Sequence, residues 1–197
     1  MLLGFFRPDA GRLTVWDKDP CEPSTRCTIG YMPETAYYYP YLNVRELLCF
    51  YGGLCGMPKP LIHSRSEELI ERVGLKEAGG RLLRHYSKGM LQRAGIAQAL
   101  LHDPELLILD EPFTGLDPLA RIHLRDLILE QKRLGKTVFF SSHELSEAEL
   151  ICDRVAILKQ GALVWSGTMG DVAGDGQQNL ERIFIKMLGG VAGEGLS

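Results

Sequence analysis

No apolar run in this 197-residue chain approaches the ~18 residues that a membrane helix needs. If the protein serves a membrane, the sequence requires a partner to make the contact. Paired cysteines are also lacking. Cys21, Cys27, Cys49, Cys55 and Cys152 are odd in number, and no two stand as a CxxC pair, which argues against a zinc site or a disulfide framework and for free thiols in a reducing cytosol. There is no basic surplus: the formal net charge is -3, whereas nucleic-acid surfaces are usually basic, so no nucleic-acid partner is expected. The opening MLLGFFRPDAG has no basic stretch ahead of its apolar residues and breaks at Arg7-Pro8-Asp9, so it does not read as a signal peptide. What remains is ordinary for a globular domain, with 45% apolar and 24% charged residues, enough for one core and at most a small second lobe.

The patterning alternates between strand and helix. Met1 to Phe6 is expected to form the last turns of a helix. Arg12–Trp16 (RLTVW) and Thr28–Tyr31 (TIGY) read as short strands around a turn-rich stretch with Pro20 and Pro23. Asn43 followed by VRELLCFYGGL offers an N-cap with Glu46 at the third helical position, a capping box. Ser64 to Leu75 reads as a second amphipathic helix ending at Gly74. Two helices with no strand between them indicate a helical lobe, over 42–86, inserted into an α/β core formed by 1–41 and 87–170, with 171–197 as a tail. A third helix is expected over Ser87–Leu101. LLILD (106–110) then reads as a buried strand, and Pro118–Leu134 as a helix capped by Asp117 and closed by Gly135. TVFFSS (137–142) reads as another buried strand, followed by a short helix in ELSEAELI. RVAIL (154–158) turns through Gln160-Gly161 into ALVWSG. Gly170–Gln178 looks loose, and Asn179–Leu188 reads as a short helix. Such alternation predicts an α/β fold with a parallel sheet covered on both faces.

Three places carry chemistry-bearing residues. LLILD ends in two carboxylates, Asp110 and Glu111, and acids at the carboxyl end of a parallel strand stand in the crevice where ligands bind. The first suits Mg²⁺ and the second suits orienting a water that attacks phosphorus; a solvated acidic turn is the plain alternative. His143 follows TVFFSS at the same end of the expected sheet, where an imidazole can hydrogen-bond a terminal phosphate or serve only as structure. In YSKGMLQR (86–93), Ser87 at a helix start with Gly89 beside it is either an anion site or a simple N-cap.

Taken in order, YSKGMLQR, LLILDEP, TGLD and SSHELSE resemble the signature motif, Walker B, D-loop and switch histidine of the ABC ATPases, and the resemblance covers nearly the whole chain. It implies a P-loop NTPase-like sheet flanked by helices, with ATP and Mg²⁺ as cofactors. Asp110 would help hold Mg²⁺, Glu111 would be the catalytic carboxylate, and His143 would contact the γ-phosphate. Ser87 and Gly89 would contact the γ-phosphate of ATP bound to the opposite subunit, and Asp117 would sit at the dimer seam. IGYMPE (29–34) resembles the Q-loop, with Glu34 where glutamine is usual. That glutamate, VWSGT (164–168) and the LERIFIKML tail look like the ABC-2 group of drug, antibiotic or polysaccharide exporters. Tyr86, Lys88 and Met90 depart from the usual signature, while Ser87 and Gly89 are kept. The implied partners are a second ATPase subunit, as a homo- or hetero-dimer, and a membrane-spanning permease that would hold the protein at the cytoplasmic face.

One motif of that family is absent. No G-x-x-x-x-G-K-[ST] occurs; Gly79-Gly80 precedes Arg81, and Lys88-Gly89 belongs to the signature. In the family this loop immediately precedes a helix resembling MLLGFFRPDAG, so the sequence is expected to begin just past it, N-terminally truncated. The remaining readings are a non-transport ABC ATPase and a non-enzymatic docking or regulatory remnant. DNA-repair members need a long coiled-coil insertion that is missing here.

Overall fold

Three short parallel strands organise the first part of the chain: β1 (Ile29–Met32), β2 (Leu106–Asp110) and β3 (Thr137–Ser141), in spatial order β1-β2-β3. The computed structural model describes residues 1–35, 37–173 and 179–188. These fall into two compact units, Met1–Ser141 and Ser142–Ser197.

In the first unit the strands begin and end nearly together. Ile29 pairs with Leu106 and Leu106 with Thr137; at the other end Met32 pairs with Leu109 and Asp110 with Ser141. All three carboxyl ends therefore share one edge. β2 is central and almost wholly buried, which its run of Leu and Ile requires. A short helix, α1 (Pro23–Arg26), precedes β1, and the connection from β1 to β2 carries α2 (Val44–Leu54), α3 (Lys59–Arg72) and α4 (Lys88–Leu100). α5 (Pro118–Arg133) joins β2 to β3.

Local chemistry sets these boundaries. The capping box of α2 is present: Asn43 Oδ1 accepts from the Glu46 N–H at 3.0 Å, and Glu46 Oε2 accepts from the Asn43 N–H at 2.8 Å. α3 begins at Lys59, five residues ahead of the expected Ser64, because Pro58 and Pro60 sit where a helix start needs no N–H donor. It ends against Gly74 at φ +67°, and Arg93 of α4 donates to the carbonyls of Val73 and Gly74 at 3.2 and 3.1 Å. α4 lies tight on β1: a Cβ at Gly30 would stand 2.1 Å from the Ala99 carbonyl oxygen, so only glycine fits there.

Several expectations are corrected. Met1–Phe6 forms turns, with a Gly4 N–H to Met1 carbonyl bond of 2.8 Å, and no helix. RLTVW is no strand; Val15 and Lys18 exchange two 3.0 Å bonds across a tight turn in which Trp16 and Asp17 take φ values of 51° and 59°. Positive φ at both central residues reverses the chain at once and ends any extended run. TVFFS is a strand but not a buried one. It pairs only with β2 among the described residues, and Phe139 remains 54% exposed.

The second unit holds α6 (Leu145–Ile151), β4 (Arg154–Lys159), β5 (Ala162–Thr168), α7 (Met169–Ala173) and α8 (Leu180–Leu188). β4 and β5 are an antiparallel hairpin and a separate sheet from the first, not a continuation of the parallel one. Gln160 and Gly161, at φ 51° and 80°, make the two-residue turn. Part of the stretch expected to be loose is ordered as α7; residues 174–178 lie outside the described residues. α8 is tied to α6 by the Leu180 N–H, which donates to Glu149 Oε1 at 2.5 Å.

His102 gives the first unit a pH dependence. It lies just past α4 with Nε2 3.2 Å from the Ile29 carbonyl oxygen. Burial pushes its pKa below the ordinary 6.5, outweighing the Ile29 carbonyl and the Asp103 charge, which both act upward. The unfolded chain therefore binds the proton more readily, so this stabilisation is present above about pH 6.5 and is lost as pH falls. Urea midpoints should drop between pH 7.5 and 5.5, and His102→Gln, which keeps a donor, should reduce the drop. An equal drop in both proteins would remove His102 as its source.

Candidate functional site at the carboxyl edge of the sheet

Asp110 is the last residue of β2, half-buried, and its neighbour in register is Ser141, the last residue of β3. The Ser141 hydroxyl donates to Asp110 Oδ1 at 2.6 Å, a short bond of the kind a carboxylate accepts. The Ser141 hydroxyl oxygen in turn accepts from the Glu111 N–H at 3.1 Å, and the Ser141 carbonyl accepts from that N–H at 3.2 Å. One serine thus meets both acids. Tyr31 of β1 pairs with Ile108, two residues before Asp110, so Tyr31 and Asp110 lie on one face of the sheet; burial first and then the charge of Asp110 push the Tyr31 pKa up.

Glu111 leaves the strand in a left-handed conformation, φ +47°. The chain then runs through Pro112 to Phe113, which is fully buried and meets Phe140 of β3 edge-on at 6.1 Å between ring centroids. Gln92, in the middle of α4 and 4% exposed, donates its side-chain amide to the carbonyl oxygens of Glu111 and Pro112 at 3.2 and 3.4 Å.

The two helix starts lie beside this turn. Ser87 caps α4, its Oγ accepting from the Met90 N–H at 3.3 Å. Asp117 caps α5, its Oδ1 accepting from the Ala120 N–H at 2.9 Å. A Cβ at Gly89 would stand 3.1 Å from the Gly115 carbonyl oxygen, so the start of α4 packs on the loop that leads into α5. Tyr86 is nearly buried and donates its hydroxyl to the Ala78 carbonyl at 2.9 Å, which gives its unusual side chain a structural role.

The structure brings Ser87, Gly89, Asp110, Glu111 and Asp117 into one region through Gln92, Ser141 and Gly115. Glu34 is exposed in the loop that follows β1, at the same edge of the sheet. His143 belongs to the second unit, between Ser141 and the start of α6, and is exposed. Sequence reasoning missed Ser141 and Gln92. The signal for Ser141 was the equal length of LLILD and TVFFS, which sets their last residues side by side. For Gln92 it was a lone amide on the face of α4 that otherwise carries Gly95, Ile96 and Ala99 into the core.

Among the described residues no three His, Cys, Asp or Glu side chains form a ready metal cluster. The oxygen donors at the edge still suit Mg²⁺, which binds through one or two carboxylates and completes its shell with water and phosphate oxygens. An apolar cavity of about 510 Å³ lies elsewhere, lined by Cys27, Tyr31, Tyr38, Tyr51, Cys55 and His102 among others; neither acid lines it.

Comparison with known proteins points one way. The family profile described as ABC transporter matches residues 1–114. An uncharacterized ABC transporter ATP-binding protein of Nostoc sp. is 47% identical over 88% of this chain and 52% of its own length. A fluoroquinolones export ATP-binding protein of Mycobacterium tuberculosis is 37% identical over 83% of this chain and 54% of its own. The chain thus spans about half the length of these curated relatives. A solved structure titled as the ATP binding subunit of an ABC transporter superposes with a TM-score of 0.86 at 30% identity, covering 95% of this chain and 80% of that one.

Proposed function

The chain belongs to the ABC transporter family, and from that premise we propose that it acts as the ATP-binding subunit that couples ATP hydrolysis to transport through a separate membrane-spanning permease, in the export direction. Its fold is the P-loop NTPase-like α/β arrangement of a parallel sheet flanked by helices. The observation that carries the reading is the acid pair at the end of β2, with Asp110 hydrogen-bonded to Ser141 and Glu111 turned out of the strand.

In this reading Asp110 helps hold Mg²⁺, which would neutralise charge on the phosphates. Glu111 orients and polarises the attacking water and accepts its proton. His143 hydrogen-bonds the γ-phosphate. Ser87 and Gly89, at the start of α4, face the γ-phosphate held by the opposite ATPase subunit, and Asp117 lies at the seam between the two subunits. Glu34 links the nucleotide to the permease. The stretch 42–86 is a helical subdomain inserted into an α/β core formed by 1–41 and 87–170, with 171–197 as a tail. No helix among the described residues is long and apolar enough to cross a membrane, which fits attachment through the permease. The fluoroquinolones export relative supports the export direction.

The 197 residues carry no G-x-x-x-x-G-K-[ST], whose backbone N–H groups and lysine cradle the phosphates. Calorimetric titration of ATP into the chain by itself should therefore show no micromolar site. With that loop joined ahead of Met1, Mg²⁺-dependent ATP hydrolysis should appear. Micromolar affinity without the loop would overturn the first expectation; no hydrolysis with it, in a folded protein that binds ATP, would overturn the proposed activity.

A further inference from the structure

Glu111 adopts a backbone conformation that L side chains rarely take. Its φ of +47° lies in the left-handed region, where Cβ crowds the following carbonyl. Such a residue persists only where its surroundings over-determine it, and it is then aimed by those surroundings. Two residues from different elements do this. On the amino side, the Glu111 N–H is held by Ser141 of β3 through both its carbonyl oxygen, at 3.2 Å, and its hydroxyl oxygen, at 3.1 Å. That hydroxyl spends its own hydrogen on Asp110 Oδ1 at 2.6 Å, which fixes its lone pair toward Glu111. On the carboxyl side, the Glu111 carbonyl accepts from Gln92 of α4 at 3.2 Å and from the Thr114 N–H at 3.2 Å. The Gln92 amide also reaches the next carbonyl, of Pro112, at 3.4 Å. Gln92 sits five residues after Ser87, on the same helix.

We propose that Gln92 and Ser141 are positioning residues that clamp Glu111 in its left-handed conformation and so aim its carboxylate, with Gln92 making that aim depend on where α4 sits. The functional consequence rests on the reading of Glu111 as the hydrolytic carboxylate; the clamp does not. A displacement of the helix that carries Ser87 would pull the amide from the Glu111 carbonyl. The Gln92 side chain then links the Glu111 peptide to the helix that begins at Ser87, within one subunit.

The test compares glycine with alanine at position 111 by urea unfolding of the 197-residue chain, without nucleotide. At an ordinary helical or extended position alanine is the more stable of the two, by roughly two- to fivefold in the folding constant. At a left-handed position the order inverts, because glycine carries no Cβ. Glu111→Gly should therefore exceed Glu111→Ala by about fivefold or more in the otherwise native chain. Combined with Ser141→Ala, or with Gln92→Asn, which draws the amide back by one methylene, the advantage of glycine should shrink or disappear. Ser141→Thr, which keeps the hydroxyl, should retain it. Gln92→Leu gives a second readout that preserves volume if the asparagine variant folds poorly. Alanine ahead of glycine in the native background would overturn the clamp, as would an undiminished glycine advantage in both the Ser141→Ala and the Gln92 variants.

Turnover gives an independent arm. In the chain carrying the phosphate loop, Ser141→Ala should lower kcat about tenfold with KM unchanged, and Ser141→Thr should restore it. Unchanged kcat would remove the positioning role. If the stability comparison holds while Glu111→Gln leaves turnover intact, the clamp stands and the catalytic reading of Glu111 falls.

Discussion

Glu111→Gln is expected to lower ATP turnover by at least about a hundredfold while leaving nucleotide binding within about twofold, measured on the chain joined to a phosphate-binding loop. The substitution keeps the shape of the side chain and removes the base, and a positioned general base contributes ~10²–10⁴ in rate. The backbone clamp is untouched, because Ser141 and Gln92 hold the N–H and carbonyl of residue 111 and not its side chain. Binding measured with a fluorescent nucleotide therefore separates the two effects: affinity survives and kcat does not. Asp110→Asn should behave differently. It removes the charge proposed for Mg²⁺ and weakens the 2.6 Å bond from the Ser141 hydroxyl, so it should raise the Mg²⁺ requirement as well as lower kcat. Unchanged hydrolysis in Glu111→Gln would end the assignment of this residue as base.

The largest effect on stability is expected at Phe113, two residues downstream. Its side chain is fully buried and packs edge-on against Phe140 at 6.1 Å. Phe113→Ala should cost ~3–5 kcal/mol, the transfer of an aromatic ring plus the cavity it leaves. Phe113→Leu, closer in volume, should cost less than half of that. Urea unfolding followed by far-UV circular dichroism measures both. A loss under ~1 kcal/mol for the alanine variant would mean that the surroundings collapse into the space, and that the turn after Glu111 is not anchored by this ring. The prediction bears on function because Phe113 is a fully buried side chain two residues past Glu111. It fixes the chain on the far side of Glu111, as Leu109 does on the near side.

Much of the first unit was legible in the sequence, for local reasons. Asn43 with Glu46 determined the start of α2, Ser87 the start of α4, and Asp117 with Pro118 the start of α5, because a cap needs only residues three apart in the chain. The apolar run of LLILD determined a buried strand, and the two acids that end it marked the edge. Where the reading failed, the deciding partner was distant or the backbone did something no side chain announces. RLTVW has strand composition, but Trp16 and Asp17 turn left-handed and close a tight reversal instead. TVFFS has a buried strand's composition, yet burial depends on what lies beside it, and β3 has a strand on one side only among the described residues. RVAIL turning through Gln160-Gly161 into ALVWSG was read correctly, because a two-residue turn is local; the structure adds that the pair is an antiparallel hairpin in a sheet of its own.

The sequence by itself determined the family, through the order and spacing of Ser87, Asp110, Glu111, Asp117 and His143, and it put two acids at the end of an apolar strand. Only the tertiary structure decided how Glu111 is held. Ser141 is thirty residues from it and Gln92 nineteen. Neither spacing has a local signature, because hydrogen bonds between separate elements are set by how the strands register and where the helix packs, not by periodicity along the chain. The strand register puts Ser141 opposite Asp110, and the close seat of α4 on Gly30 brings Gln92 under the next peptide.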